Sequence, residues 1–238
     1  MALTVNEQRI EDESIAFAKS HKKAIAKRLT DPSIFIPEAE PVSVFMAGSP
    51  GAGKTEAALE LLESIGGPPI LRIDPDELRS EFAAYTGSNS WLFQRALSIL
   101  VERILDHAFK QHQSFLLDGT LSSYEVACRN VQRSLDRGRV VQILYVYQQP
   151  MQAWEFVKHR EAAEGRRIRP EDFVQQYFAA RDVVNRLKAE FGRALRVDLL
   201  LKNLDGTSRL YRAGVDNIDH HIPEKFGRQY VEAWVAMA

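Results

Sequence analysis

Between residues 48 and 55 the chain reads Gly48-Ser49-Pro50-Gly51-Ala52-Gly53-Lys54-Thr55, after an apolar run at 42–47 and before a helical pattern at 55–65. Few folds accommodate this order. Glycines let a loop curl until its backbone N–H groups converge, and the helix that follows adds partial positive charge at its N-terminus. The string matches G-x-x-x-x-G-K-[ST], and the strand before it and helix after it are the context in which such a loop cradles nucleotide phosphates. Gly48, Ser49, Pro50, Gly51, Ala52, Gly53, Lys54 and Thr55 are therefore the expected nucleotide-binding residues. Lys54 is expected on the β- and γ-phosphates and Thr55 on Mg²⁺, making ATP and Mg²⁺ the expected cofactors.

The rest of the pattern alternates. Apolar runs at 70–73, 115–117, 140–147 and 197–201 are separated by helical stretches at 76–82, 91–111, 124–136, 152–163 and 171–191. Parallel strands need crossovers, so the prediction is an α/β, three-layer P-loop NTPase fold, a mostly parallel sheet with helices on both faces. An N-terminal helix at 6–29 and a C-terminal hairpin and helix complete it. The hairpin is expected from 200–203 and 208–211 about Asp205-Gly206, and the last helix at 224–237. We expect a single domain over 1–238: an N-terminal helical extension at 1–40, a core at 41–205 and a C-terminal extension at 206–238.

Composition narrows the function. Lys and Arg number 31 against 32 Asp and Glu, a net charge of −1, so no overall field holds nucleic acid, and that partner is not expected. The lone cysteine, Cys128, makes no internal disulfide and reads as a small buried apolar residue. With no membrane-length apolar stretch and no leader pattern, a cytoplasmic protein is expected and a membrane is not. His220-His221, without a third ligand nearby, reads as an exposed loop pair. The strings Asn-Lys-x-Asp and Asp-x-x-Gly of guanine-nucleotide switches do not occur, which favours a small kinase.

In a parallel sheet, ligands meet the carboxyl ends of the strands. There the runs at 70–73 and 115–117 deliver Asp74-Pro75-Asp76 and Asp118-Gly119-Thr120. A kinase needs a carboxylate to orient and deprotonate its acceptor and another near the metal; Asp76 and Asp118 are the candidates, with Asp74 read as a helix cap. Lys158, Arg160, Arg166, Arg167 and Arg169 crowd around Gly165, as in a lid whose guanidinium groups cover the transferring phosphoryl group.

These four elements together resemble the zeta toxin family of small kinases, in order and spacing, across about residues 40–205. The resemblance implies a P-loop kinase fold, and its best-known members phosphorylate the 3′-hydroxyl of the sugar in UDP-N-acetylglucosamine. It implies Asp76 as general base, Asp118, Gly119 and Thr120 as the substrate turn, and Arg160 with Arg167 as phosphate-binding residues, Arg169 being an alternative to Arg167. It also implies an antitoxin protein as a candidate partner. The chain departs from the family at Ser122, where members active on the sugar nucleotide tend to carry arginine. The expected function is ATP-dependent transfer to a hydroxyl of a small molecule, a UDP-activated amino sugar; another small P-loop kinase or a nucleotide-gated binding protein is the alternative.

Overall fold

The computed structural model describes residues 3–202, 209–223 and 225–237. It opens with α1 (Val5–Leu29), then β1 (Val42–Ala47), α2 (Lys54–Ile65), β2 (Leu71–Ile73), α3 (Gln94–Lys110), β3 (Phe115–Leu117), α4 (Tyr124–Leu135) and β4 (Val140–Tyr147). It continues with α5 (Pro150–Glu164), α6 (Pro170–Phe191), β5 (Leu195–Lys202), β6 (Arg209–Arg212) and α7 (Arg228–Met237). The six strands form one sheet in the order β2-β3-β1-β4-β5-β6, parallel except where β6 pairs antiparallel with β5. The α/β expectation holds.

The two-residue period of the strands sorts the core. Phe45 and Ala47, Ile143, Tyr145 and Tyr147, and Val197 and Leu199 face one side and pack with α1, α3, α4 and α6. Val44 and Met46, Leu144 and Val146, and Leu200 face the other and meet Ala57, Ala58, Leu61 and Leu62 of α2. Strands buried on both sides read as continuous apolar runs, which is why they stood out in the sequence. A third cluster joins Trp154 and Val157 of α5, Phe173 and Val174 of α6, and Val231 and Val235 of α7. α7 thus braces α5, which carries Arg160, and α6, which follows the connection that carries Arg166, Arg167 and Arg169.

Helix ends follow local chemistry. Thr4 and Glu7 form a reciprocal capping box at the start of α1. α5 and α6 both begin with proline, and α5 stops at Gly165, whose φ is +71°. Four expectations need correction. Residues 76–82 make a 3₁₀ turn, Glu77–Glu81, rather than an α-helix, because Leu78 and Phe82 are drawn into the core within a span too short for stable α-turns. The stretch at 91–111 splits into a 3₁₀ turn, Ser90–Phe93, and α3. The last helix begins at Arg228, with Glu224 outside the described residues. In the expected hairpin Lys202 lies opposite Arg209, while the Asp205-Gly206 turn falls outside the described residues. Cys128 is half-buried, its thiol 3.6 Å from Glu190 Oε1, rather than fully enclosed.

Candidate active site

The glycine loop leaves β1 next to the strand on which the sheet order reverses, where parallel sheets open a crevice. Two of its glycines are required by contact as well as by conformation. At Gly48, φ is +133° and a Cβ would lie 2.3 Å from the Val146 carbonyl oxygen; at Gly51, φ is +72° and a Cβ would lie 2.0 Å from that of Ala153. The loop is thus wedged between the end of β4 and the start of α5. Gly48 N–H also donates to Thr120 O (3.3 Å), tying the loop to the turn after β3. α2 begins with Gly53 as its N-cap and makes no side-chain capping bond, so the first-turn N–H groups face the crevice uncapped.

Lys54 opens α2 and folds back to donate to Ser49 O at 2.7 Å. Burial lowers its pKa to about 8, against the opposing pull of Asp118 and Asp76 and with the push of Arg166 and Arg160. The lysine therefore senses both predicted carboxylates and two lid arginines. A desolvated ammonium among backbone N–H groups fits a polyphosphate, and Thr55 beside it presents the hydroxyl that such sites offer to a phosphate-bound Mg²⁺.

On the acidic side, Arg72 of β2 gathers three carboxylates. Its guanidinium donates to Asp118 Oδ2 (2.8 and 3.3 Å), to Glu77 Oε1 (2.6 Å) and to Asp74. Asp74 in turn accepts from Asp76 N–H at 2.8 Å, so it caps the turn that carries Asp76. Burial pushes Asp74 up to about 6, helped by the neighbouring Asp76 charge. Asp76 itself pairs with Arg79 and with Arg166. Burial acts to raise its pKa, yet Arg166, Arg79 and Arg160 together hold it below the ordinary carboxylate value.

The lid segment comes from α5 and the connection to α6. Arg160 bonds Glu164 at 3.1 Å along its own helix. Arg167 is more than half exposed, 3.9 Å from Glu161, while its backbone is pinned by Gly87 O (3.2 Å) and the Ser90 hydroxyl (2.6 Å). Arg169 is engaged by both Asp172 oxygens (2.7 and 3.0 Å) and lies over the Trp91 ring. The lid arginine brought onto Asp76 is Arg166, largely buried.

One cleft of about 950 Å³ brings most of the predicted residues together: Pro50 to Thr55, Asp76, Asp118, Gly119, Thr120, Arg160 and Arg167 all line it. Gly48 and Ser49 stand behind that surface, both buried. Asp118, 5% exposed, is held by Arg72 at the cleft floor, and Thr120 shares a hydrogen bond with Ser122 (3.1 Å). Sequence reasoning missed Arg79 and Arg72. Arg79 carried a signal, since it follows Asp76 by three residues, one helical turn; Arg72 carried only part of one, its spacing of two from Asp74, because its pairing with Asp118 arises when β2 meets β3.

A family model described as zeta toxin matches residues 26–216. No curated protein matches the sequence. Among solved structures, one from the PezAT chromosomal toxin–antitoxin system of the human pathogen Streptococcus pneumoniae is similar with a TM-score of 0.66 at 18% identity, over 96% of this chain and 95% of that one. A structure of AvrRxo1-ORF1 with AvrRxo1-ORF2 and ATP is similar with a TM-score of 0.57 at 19% identity, over 91% of this chain and 71% of that one. The same pair with sulphate ions gives 0.57 at 19%, over 90% and 71%.

Proposed function

Since this chain belongs to the zeta toxin family, whose membership supports a kinase-type function, we propose that it is an ATP-dependent phosphotransferase acting on a hydroxyl of a small molecule, a UDP-activated amino sugar. The observation that carries the proposal is the meeting, in one cleft, of a desolvated Lys54 on a glycine loop with an ionised Asp76 held between Arg79 and Arg166.

In this reading the loop N–H groups and Lys54 hold the β- and γ-phosphates, and Thr55 would help to hold Mg²⁺, which would supply charge neutralisation there. Asp76 accepts a hydrogen bond from the acceptor hydroxyl and takes its proton as the oxygen bonds to the γ-phosphorus; the bond to the β-phosphate oxygen breaks and ADP leaves. Phosphoryl transfer passes through a loose transition state, so the base has more to orient than to abstract. A carboxylate with a lowered pKa suits that role. Arg160 and Arg166 balance the charge spread over the transferring group, with Arg167 at the rim, and lid closure excludes water. Asp118, Gly119 and Thr120 form the acceptor-side wall, with Asp118 acting from its Arg72 pair.

Ser122 supports a second acceptor class. Where an arginine would meet an anionic acceptor, this hydroxyl bonds Thr120, which suits a neutral hydroxylated molecule. An acceptor screen with γ-labelled ATP separates the two: transfer to UDP-N-acetylglucosamine supports the first, transfer to neutral alcohols with none to UDP-sugars supports the second, and transfer to nucleoside monophosphates alone overturns both. An antitoxin protein is the proposed partner and the cytoplasm the proposed site of action. Among the described residues no helix is long and apolar enough to cross a membrane.

A further inference from the structure

A second lysine approaches the glycine loop from the side opposite the carboxylates. Leu200 of β5 packs into the α2 face of the sheet, and Lys202, two residues on, lies on that same face at the carboxyl end of the strand. Its side chain runs over the start of α2 and its Nζ donates to Gly53 O at 3.1 Å. The approach is close enough that a Cβ on Gly53 would lie 1.9 Å from this nitrogen, with Glu56 Oε2 on the same spot at 3.1 Å. Lys202 lines the same cleft as Lys54 and is half-buried, with Arg209 beside it at the start of β6. The two lysines divide the loop between them. Lys54 feels Asp76, Asp118, Arg160 and Arg166, the transfer centre, whereas Lys202 feels Glu56, Glu60 and Arg209.

Both ammonium groups rest on neutral loop carbonyls, Ser49 O and Gly53 O. Phosphate oxygens are stronger acceptors, since a bond between two charged groups gains more than one to a carbonyl. Partial burial, which depresses the Lys202 pKa even with Glu56 nearby, sharpens this preference. The long flexible stem lets the group move from carbonyl to phosphate without moving β5.

We propose that Lys202 is a donor-binding residue: it leaves the Gly53 carbonyl to bind the phosphates of the nucleotide remote from the one transferred, and so aligns the donor against the loop. This rests on the kinase reading above, but its test needs no acceptor. Lys202→Gln keeps a donor for the Gly53 carbonyl and removes the charge, while Lys202→Arg keeps the charge; ADP, ATP and inorganic tripolyphosphate are titrated calorimetrically into each variant and the wild type. The expected result is a roughly tenfold to hundredfold loss of ADP and ATP affinity in Lys202→Gln, largely restored in Lys202→Arg, with thermal stability unchanged in both. Wild-type affinity in Lys202→Gln would show that the lysine only supports the loop, and would overturn this inference while leaving the kinase reading intact. A wild-type chain that binds none of the three ligands would overturn both.

Discussion

Asp76 is the proton acceptor of the proposed transfer, and its surroundings set what a single replacement does. Arg79 and Arg166 both pair with its carboxylate, so Asp76→Asn keeps the shape and removes the proton acceptor. Transfer should fall by about 10² to 10⁴-fold while ATP affinity stays within a few-fold of wild type, measured by labelled-phosphate turnover and by nucleotide titration. Full turnover in the variant would remove Asp76 from the mechanism. Asp74 offers a pH-dependent counterpart. Its folded pKa, about 6, stands above the ordinary aspartate value of 3.8, so the folded chain binds this proton more tightly than the unfolded one. The stability so gained is complete below about pH 4 and is lost as pH rises through about 6. Denaturant titrations at pH 5 and pH 7 should therefore differ by on the order of 1–2 kcal/mol from this residue, and Asp74→Asn should remove that difference. The Asp76 shift has the opposite sign and acts below its ordinary carboxylate range, outside that window.

At the scale of elements, the glycine loop and the lid are the parts whose geometry can be broken separately. Gly51→Ala places a methyl 2.0 Å from the Ala153 carbonyl at a positive φ, so the loop must part from α5. A cost of about 1–3 kcal/mol and loss of ATP binding are expected, read by thermal unfolding and titration. Val231→Ala, in the fully buried seam of α7 against α5 and α6, should cost about 2 kcal/mol and raise the ATP requirement for half-maximal turnover, because it loosens the helix that carries Arg160. An unchanged requirement would mean that the brace does not reach the lid. Strands such as β1 and β4 were legible in the sequence because burial on both faces leaves runs that are apolar but for one polar residue each, Ser43 and Gln142. The turn after Asp76 was not: its helical spacing is real, but Leu78 and Phe82 reach the core through a 3₁₀ path that only tertiary packing selects. The lid is the same case at finer grain. Arg160, Arg166, Arg167 and Arg169 share a composition, and which of them meets Asp76 depends on the left-handed Gly165 and on the bonds that pin the Arg167 backbone.

Across the whole molecule, a net charge of −1 conceals a strongly uneven distribution. Arg72 shares its one charge between Asp74 and Asp118 at the sheet edge, while Lys54, Arg79, Arg160 and Arg166 gather around Asp76, so that five cations face three aspartates. That excess of positive charge, enclosed in a cleft of about 950 Å³, is a field suited to a polyphosphate donor and a hydroxyl acceptor. The sequence revealed the loop and the acidic strand ends because each is a contiguous string. Arg72 and Lys202 stayed hidden because their roles arise only when β2 meets β3 and when β5 reaches the loop after β1. The most direct measurement is mass spectrometry of small molecules from cells expressing the intact chain, beside cells expressing Lys54→Ala or Asp76→Asn at equal protein levels. A phosphorylated metabolite that accumulates only with the intact chain is the expected result; identical metabolite profiles in all three would contradict phosphoryl transfer to a small molecule.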